Sequence, residues 1–80
     1  MNKIAAQTQV SEVVSRVSGV PTPEIHNESR LRDDLALDSM QLFDLQIELE
    51  EVFQVELPES AGKLIISVGD IVQLMEELRS

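Results

Sequence analysis

Leu31-Arg32-Asp33-Asp34-Leu35-Ala36-Leu37-Asp38-Ser39-Met40 is the most informative stretch of this chain of 80 residues. It leads into an amphipathic run, Gln41-Leu42-Phe43-Asp44-Leu45-Gln46-Ile47-Glu48-Leu49-Glu50-Glu51-Val52-Phe53. Asp38 with Gln41 three residues later is a capping box with Asp in place of Ser or Thr, so a helix is predicted over about Ser39–Phe53. Ser39 then occupies the first turn. The unpaired N–H groups and the positive dipole end there favour an anion beside its hydroxyl.

Two apolar stripes run along that helix. Leu42, Leu45, Leu49, Val52 and Phe53 form a face broad enough for a core, while Met40, Phe43 and Ile47 form a second stripe among Asp44, Glu50 and Glu51. A small domain needs only one of them to fold, so the second is read as a binding face. The segment Ser39–Val55 contains no Lys or Arg. Its acids, Asp44, Glu48, Glu50 and Glu51, therefore lack i, i+4 partners on their own helix, a small cost each that basic partners would offset.

Working outward, Val10, Val13, Val14 and Val17 recur at i, i+3, i+4 and i+7, which predicts a helix from near Lys3 to Ser18. Valine is a poor helix former, so this helix relies on tertiary packing. Gly19 is its stop, and Pro21-Thr22-Pro23 is expected to stay extended. The connection from Val20 to Leu37, anchored by Ile25, Leu31 and Leu35, is long for a compact domain and leads directly to Ser39. After Leu57-Pro58 a short helix is expected over Ser60–Ile66, weakened by Gly62. Ser67-Val68-Gly69-Asp70 resembles a further capping box, and Val68, Ile71, Val72, Met75 and Leu78 give the last helix its buried stripe. The expected fold is all-α, a small four-helix bundle with a short third helix, one domain over 1–80.

Composition narrows the function. One core is all this length supports, burying roughly 60–65% of the unfolded surface. The chain has no Cys, hence neither disulfides nor thiol chemistry of its own. Fifteen acids against six bases give a net charge of −9, which disfavours nucleic acid and anionic membranes and points to basic protein partners. Lys3-Ile4-Ala5-Ala6-Gln7-Thr8 is too soon interrupted for a signal peptide, and Leu64-Ile65-Ile66 is far below a membrane span. A soluble, cytoplasmic, monomeric protein is expected. Phe43 and Phe53 are its only aromatic residues, so a core of Leu, Ile, Val and Met should deform readily around a guest.

No catalytic residue is assigned. A nucleophilic Ser39 would need a general base in reach, and His26, the single histidine, lies in a Pro-flanked loop with no Gly-x-Ser-x-Gly elbow in the chain. No metal site is assigned either, since Asp33, Asp34 and Asp38 lack the glycine turn and closing glutamate of a calcium loop.

Leu35-x-x-Asp38-Ser39-Met40, Leu57-Pro58-Glu59 and Ile66-Ser67-Val68-Gly69-Asp70 resemble, in order and spacing, the pattern of acyl carrier proteins with their Asp-Ser-Leu signature. The resemblance runs from about Val10 to Leu78. It implies that a phosphopantetheinyl transferase moves 4′-phosphopantetheine from coenzyme A onto Ser39, with Asp38 orienting the transferase's metal and coenzyme. The arm's thiol would carry acyl groups as thioesters. It also implies that Met40, Phe43 and Ile47, with Asp44, Glu50 and Glu51, meet basic docking surfaces of acyltransferase- and ketosynthase-type enzymes. Ala36 stands where the family commonly has Gly, Met40 where it has Leu, Phe43 where it has a smaller aliphatic residue and Asp44 where it has Glu. These departures favour a dedicated carrier of a polyketide or specialised fatty-acid or lipid pathway over the housekeeping one, and the start at Met1 and end at the last helix make a free-standing protein the expectation. A peptidyl or aryl carrier of a nonribosomal pathway and an unmodified helical adaptor are the alternatives.

Overall fold

The computed structural model describes residues 3–79. The valine stripe does form the heart of the first helix, α1 (Lys3–Ser18): Val10, Val13 and Val14 are fully buried and Val17 is half-buried against them. Gly19 ends the helix in the left-handed region at φ 79°, its N–H donating to Ser15 O at 2.8 Å. A side chain would be strained there, which is why the stop is glycine.

The connection that follows is more ordered than the sequence indicates. Pro21 is extended, as expected, but Thr22–Glu24 makes one 3-10 turn. Pro23 lies in its first turn, where the fixed φ of proline suits the turn and its missing N–H costs nothing. Ile25, Leu31, Leu35 and Leu37 are buried and pin the connection to the core.

Helix α2 (Ser39–Phe53) has the expected bounds and buries Leu45, Leu49 and Phe53, with Leu42 and Val52 half-buried beside them. It ends at Gln54, left-handed at φ 54°. Helix α3 (Ala61–Leu64) is a single turn, shorter than the expected Ser60–Ile66. Ile65 leaves it in extended conformation because the chain there joins the long connection. Leu31 N–H donates to Ile66 O at 2.9 Å, Val68 N–H to Ser29 O at 3.0 Å and Gly69 N–H to Asn27 O at 2.9 Å, around an isolated antiparallel bridge between Arg30 and Ser67. A Cβ on Gly69 would come within 3.2 Å of Asn27 O, so this close approach favours glycine.

Helix α4 (Val68–Arg79) buries Val68, Ile71, Val72 and Met75. Leu78, placed with that stripe by its spacing, is instead 39% exposed, since a residue in the last turn has no following turn to shield it. Helices α2 and α4 both pack on α1. The result is an all-helical bundle of four helices with one apolar core.

Candidate functional site

The approach to Ser39 is built from the backbone outward. Leu35 N–H and Asp34 N–H both donate to Arg30 O, at 3.0 and 2.9 Å, and Asp34 Oδ2 accepts from Arg30 N–H at 2.7 Å, closing a tight turn. Leu37 N–H then donates to Leu31 O at 2.9 Å. Between these bonds Ala36 takes φ 56°, the left-handed region, where an L side chain costs about 1–2 kcal/mol. A glycine would fit this position without strain.

Asp38 is the N-cap, in extended conformation. Its Oδ1 accepts from Gln41 N–H at 2.8 Å, and Gln41 Oε1 accepts from Asp38 N–H at 3.1 Å, so the expected capping box is complete. Gln41 Nε2 also donates to Val17 O at 3.5 Å, tying the start of α2 to the end of α1. With the cap supplied by Asp38, the Ser39 hydroxyl is released from that duty and lies exposed at the first helical position.

Sequence reasoning missed one neighbour. Arg32 Nη2–H donates to Ser39 Oγ at 3.2 Å across seven residues of connection. No periodicity or motif links residues so placed; the tight turn at 31–35 brings them together. Arg32 also lines a cleft of about 240 Å³ with Arg30, Leu31, Leu42, Ile65 and Ile66.

The second stripe of α2 faces outward, with Met40 78%, Phe43 63% and Ile47 40% exposed. Asp44 and Glu51 are exposed beside it and share with Ile47, Glu48 and Arg16 a shallow notch against α1 of about 350 Å³. Two of the acids are less free than the sequence implies. Glu48 pairs with Arg16 of α1 at 3.5 Å, and Glu50 Oε2 accepts from Leu57 N–H at 2.9 Å. Asp44 and Glu51 are thus the acids left facing solvent along the ridge.

A phosphate ester fits this place. The hydroxyl is accessible, the first-turn N–H groups favour negative charge, and a guanidinium stands within hydrogen-bond reach. His26 is in the exposed connection, its N–H donating to Ser29 Oγ at 3.0 Å. Among the described residues no three His, Cys, Asp or Glu side chains cluster closely enough to hold a metal, and no helix is long and apolar enough to cross a membrane.

Solved structures of acyl carrier proteins share this fold. The chain is similar to the acyl carrier protein from Enterococcus faecalis, with a TM-score of 0.80 and 22% identity over 98% of this chain and 99% of that one. It is also similar to the apo doublet acyl carrier protein from prodigiosin biosynthesis, with a TM-score of 0.79 and 22% identity over 91% of this chain. The match covers 35% of the doublet, so the chain spans about a third of its length. At such identity these likenesses speak for the fold. Residues 8–75, however, match the protein family described as phosphopantetheine attachment site, a stretch holding the helix start, the ridge and the cleft alike. The chain therefore belongs to the family of carrier proteins with a phosphopantetheine attachment site, whose cofactor is covalently attached 4′-phosphopantetheine.

Proposed function

We propose that Ser39 carries the phosphopantetheine arm, and that the chain works in the cytoplasm as a dedicated carrier of acyl thioesters for a polyketide or specialised fatty-acid or lipid pathway. The observation that carries the assignment is the division of labour at the start of α2: Asp38 takes the cap and leaves the adjoining hydroxyl exposed. Three of the other serines are differently placed. Ser18 Oγ, Ser29 Oγ and Ser67 Oγ each accept a backbone N–H, from Val20, His26 and Asp70. Ser29 is also buried.

Docking is assigned to the exposed ridge. Met40, Phe43 and Ile47 offer apolar contact, and Asp44 and Glu51 offer charge to basic surfaces on the transferase and on acyltransferase- or ketosynthase-type enzymes. Glu50 is kept as a weaker contributor because its carboxylate already serves Leu57. The chain itself supplies no chemistry to the acyl group in this reading; it presents it.

Incubation with coenzyme A and a broad-specificity transferase should add one arm, seen by intact mass. Ser39→Ala should abolish the gain and leave helical content nearly unchanged, because Asp38 still caps. A modified Ser39→Ala protein would overturn the assignment. Loading with malonyl against aminoacyl donors then separates an acyl from a peptidyl carrier.

A further inference from the structure

Arg32 differs from the arginines around it. Arg16 is paired with Glu48 and Arg30 with Asp33, whereas Arg32 makes no ion pair among the described residues. Its Nη2–H instead donates to the Ser39 hydroxyl at 3.2 Å. A guanidinium presents a planar fork of five donors, and one hydroxyl oxygen uses a single one of them. The match for such a fork is a phosphate, bound through two parallel N–H···O bonds.

Charge gives the second argument. A phosphodiester on Ser39 adds a negative charge to a chain already at −9, directly beside Asp38. Helix-end N–H groups offset part of this, but Gln41 N–H is already taken by the Asp38 carboxylate. A fixed cation is the missing partner. Arg32 is placed for it without reaching, because the turn that holds it is closed by the Arg30–Asp34 and Leu31–Leu37 backbone bonds.

Resting on the reading that Ser39 is the attachment point, we propose that Arg32 is the counter-ion of the arm's phosphodiester. It biases the arm to leave Ser39 toward the cleft that Arg32 itself lines with Leu42, Ile65 and Ile66. Arg32 is thus a positioning residue. It acts on the direction and mobility of the arm, and has no part in forming the thioester.

The test compares apo and phosphopantetheinylated protein by NMR, each sample verified by intact mass. In the wild type, modification should shift the amides of Leu42, Ile65 and Ile66 and restrain the arm's own amides. In Arg32→Ala those shifts should shrink about threefold, within the range of an exposed ion pair. Arg32→Lys, which keeps the charge and loses the fork, should fall between. Raising salt to 0.5 M on the wild-type carrier should shrink the shifts too, since the Debye length then falls well below 10 Å. Unmodified Arg32→Ala should melt with the wild type. Equal shifts and equal arm mobility in wild type and Arg32→Ala, or no response to salt, would overturn the proposal. So would a lowered apo melting temperature with unchanged arm signals, which would make Arg32 merely structural. Absence of any mass gain on the wild type, or a gain that survives Ser39→Ala, counts instead against Ser39.

Discussion

Helices α2 and α4 start with the same device and assign its parts differently. At α4 a serine is the cap: Ser67 Oγ accepts from Asp70 N–H at 3.3 Å, and Asp70 Oδ2 accepts from Ser67 N–H and Ile66 N–H, both at 3.0 Å. At α2 an acid is the cap and an amide answers it, through Asp38 and Gln41. The exchange moves the hydroxyl by one residue. Ser67 is half-buried and occupied, while Ser39 is exposed and touched by a guanidinium. The faces differ likewise: α4 turns its main stripe inward, and α2 carries a second stripe turned out. One helix end thus uses its hydroxyl for the fold, and the other leaves its hydroxyl free of capping, as the proposed attachment at Ser39 requires.

The contrast between the faces is broken most directly by truncating one side chain from each. Met75 is fully buried on α4, so Met75→Ala should cost about 2–5 kcal/mol, seen as a lowered melting temperature or urea midpoint. Phe43→Ala on the exposed face of α2 should change stability by less than about 0.5 kcal/mol. It should nonetheless weaken a dedicated partner about thirtyfold in a binding titration, since an anchoring aromatic is worth roughly 2 kcal/mol or more. A large stability loss from Phe43→Ala would remove its docking role.

The contrast between the caps is sharpened by acid. Backbone hydrogen bonds from Ser67, then from Ile66, with a smaller one from the Ser67 hydroxyl, hold the Asp70 carboxyl below the usual carboxylate range, against a slight opposing push from burial. A depressed value in the folded state means that its stabilisation is complete above about pH 4 and lost as pH falls through the lowered value. Asp70→Asn should cost about 1 kcal/mol at neutral pH, the scale of a helix cap, with partial exposure favouring the lower end. The variant should also lose less than the wild type between pH 5 and the acid limit, a comparison that urea midpoints across about pH 3–7 would make.

Much of this was legible beforehand where the signal is local. The bounds of α2, its capping box, the valine face of α1 and the glycine stop all follow from patterns a few residues long, and all stand as expected. Contacts between distant segments were not legible. Arg32 with Ser39, Arg16 with Glu48, Glu50 with Leu57 and the bridge of Arg30 with Ser67 depend on how turns bring remote residues together, which no period in the sequence encodes. The shortness of α3 has the same origin, since Ile65 and Ile66 are drawn away by the long connection. The exposure of Leu78 shows the other limit: spacing gives the face of a helix, not where its cover ends.

The smallest expected effect concerns the entry to α2. Ala36→Gly removes the left-handed strain of about 1–2 kcal/mol and gives back about 0.4–1 kcal/mol through the more flexible unfolded chain. A net gain of about 0.5 kcal/mol should appear as a raised urea midpoint, with no such gain for Gly at the unstrained entry to α4.

The backbone bonds that fasten residues 27–31 to residues 66–69 have a consequence for kinetics of encounter. A connection of that length, left loose, would let Arg32 wander from the start of α2. Fastened, it keeps that guanidinium beside Ser39, which α2 itself holds fixed relative to the ridge of Met40, Phe43 and Ile47. For a partner docked on that ridge, the effective concentration of a group tethered at Ser39 would then be set by the tether's own length and stiffness, because its root and the ridge share one helix.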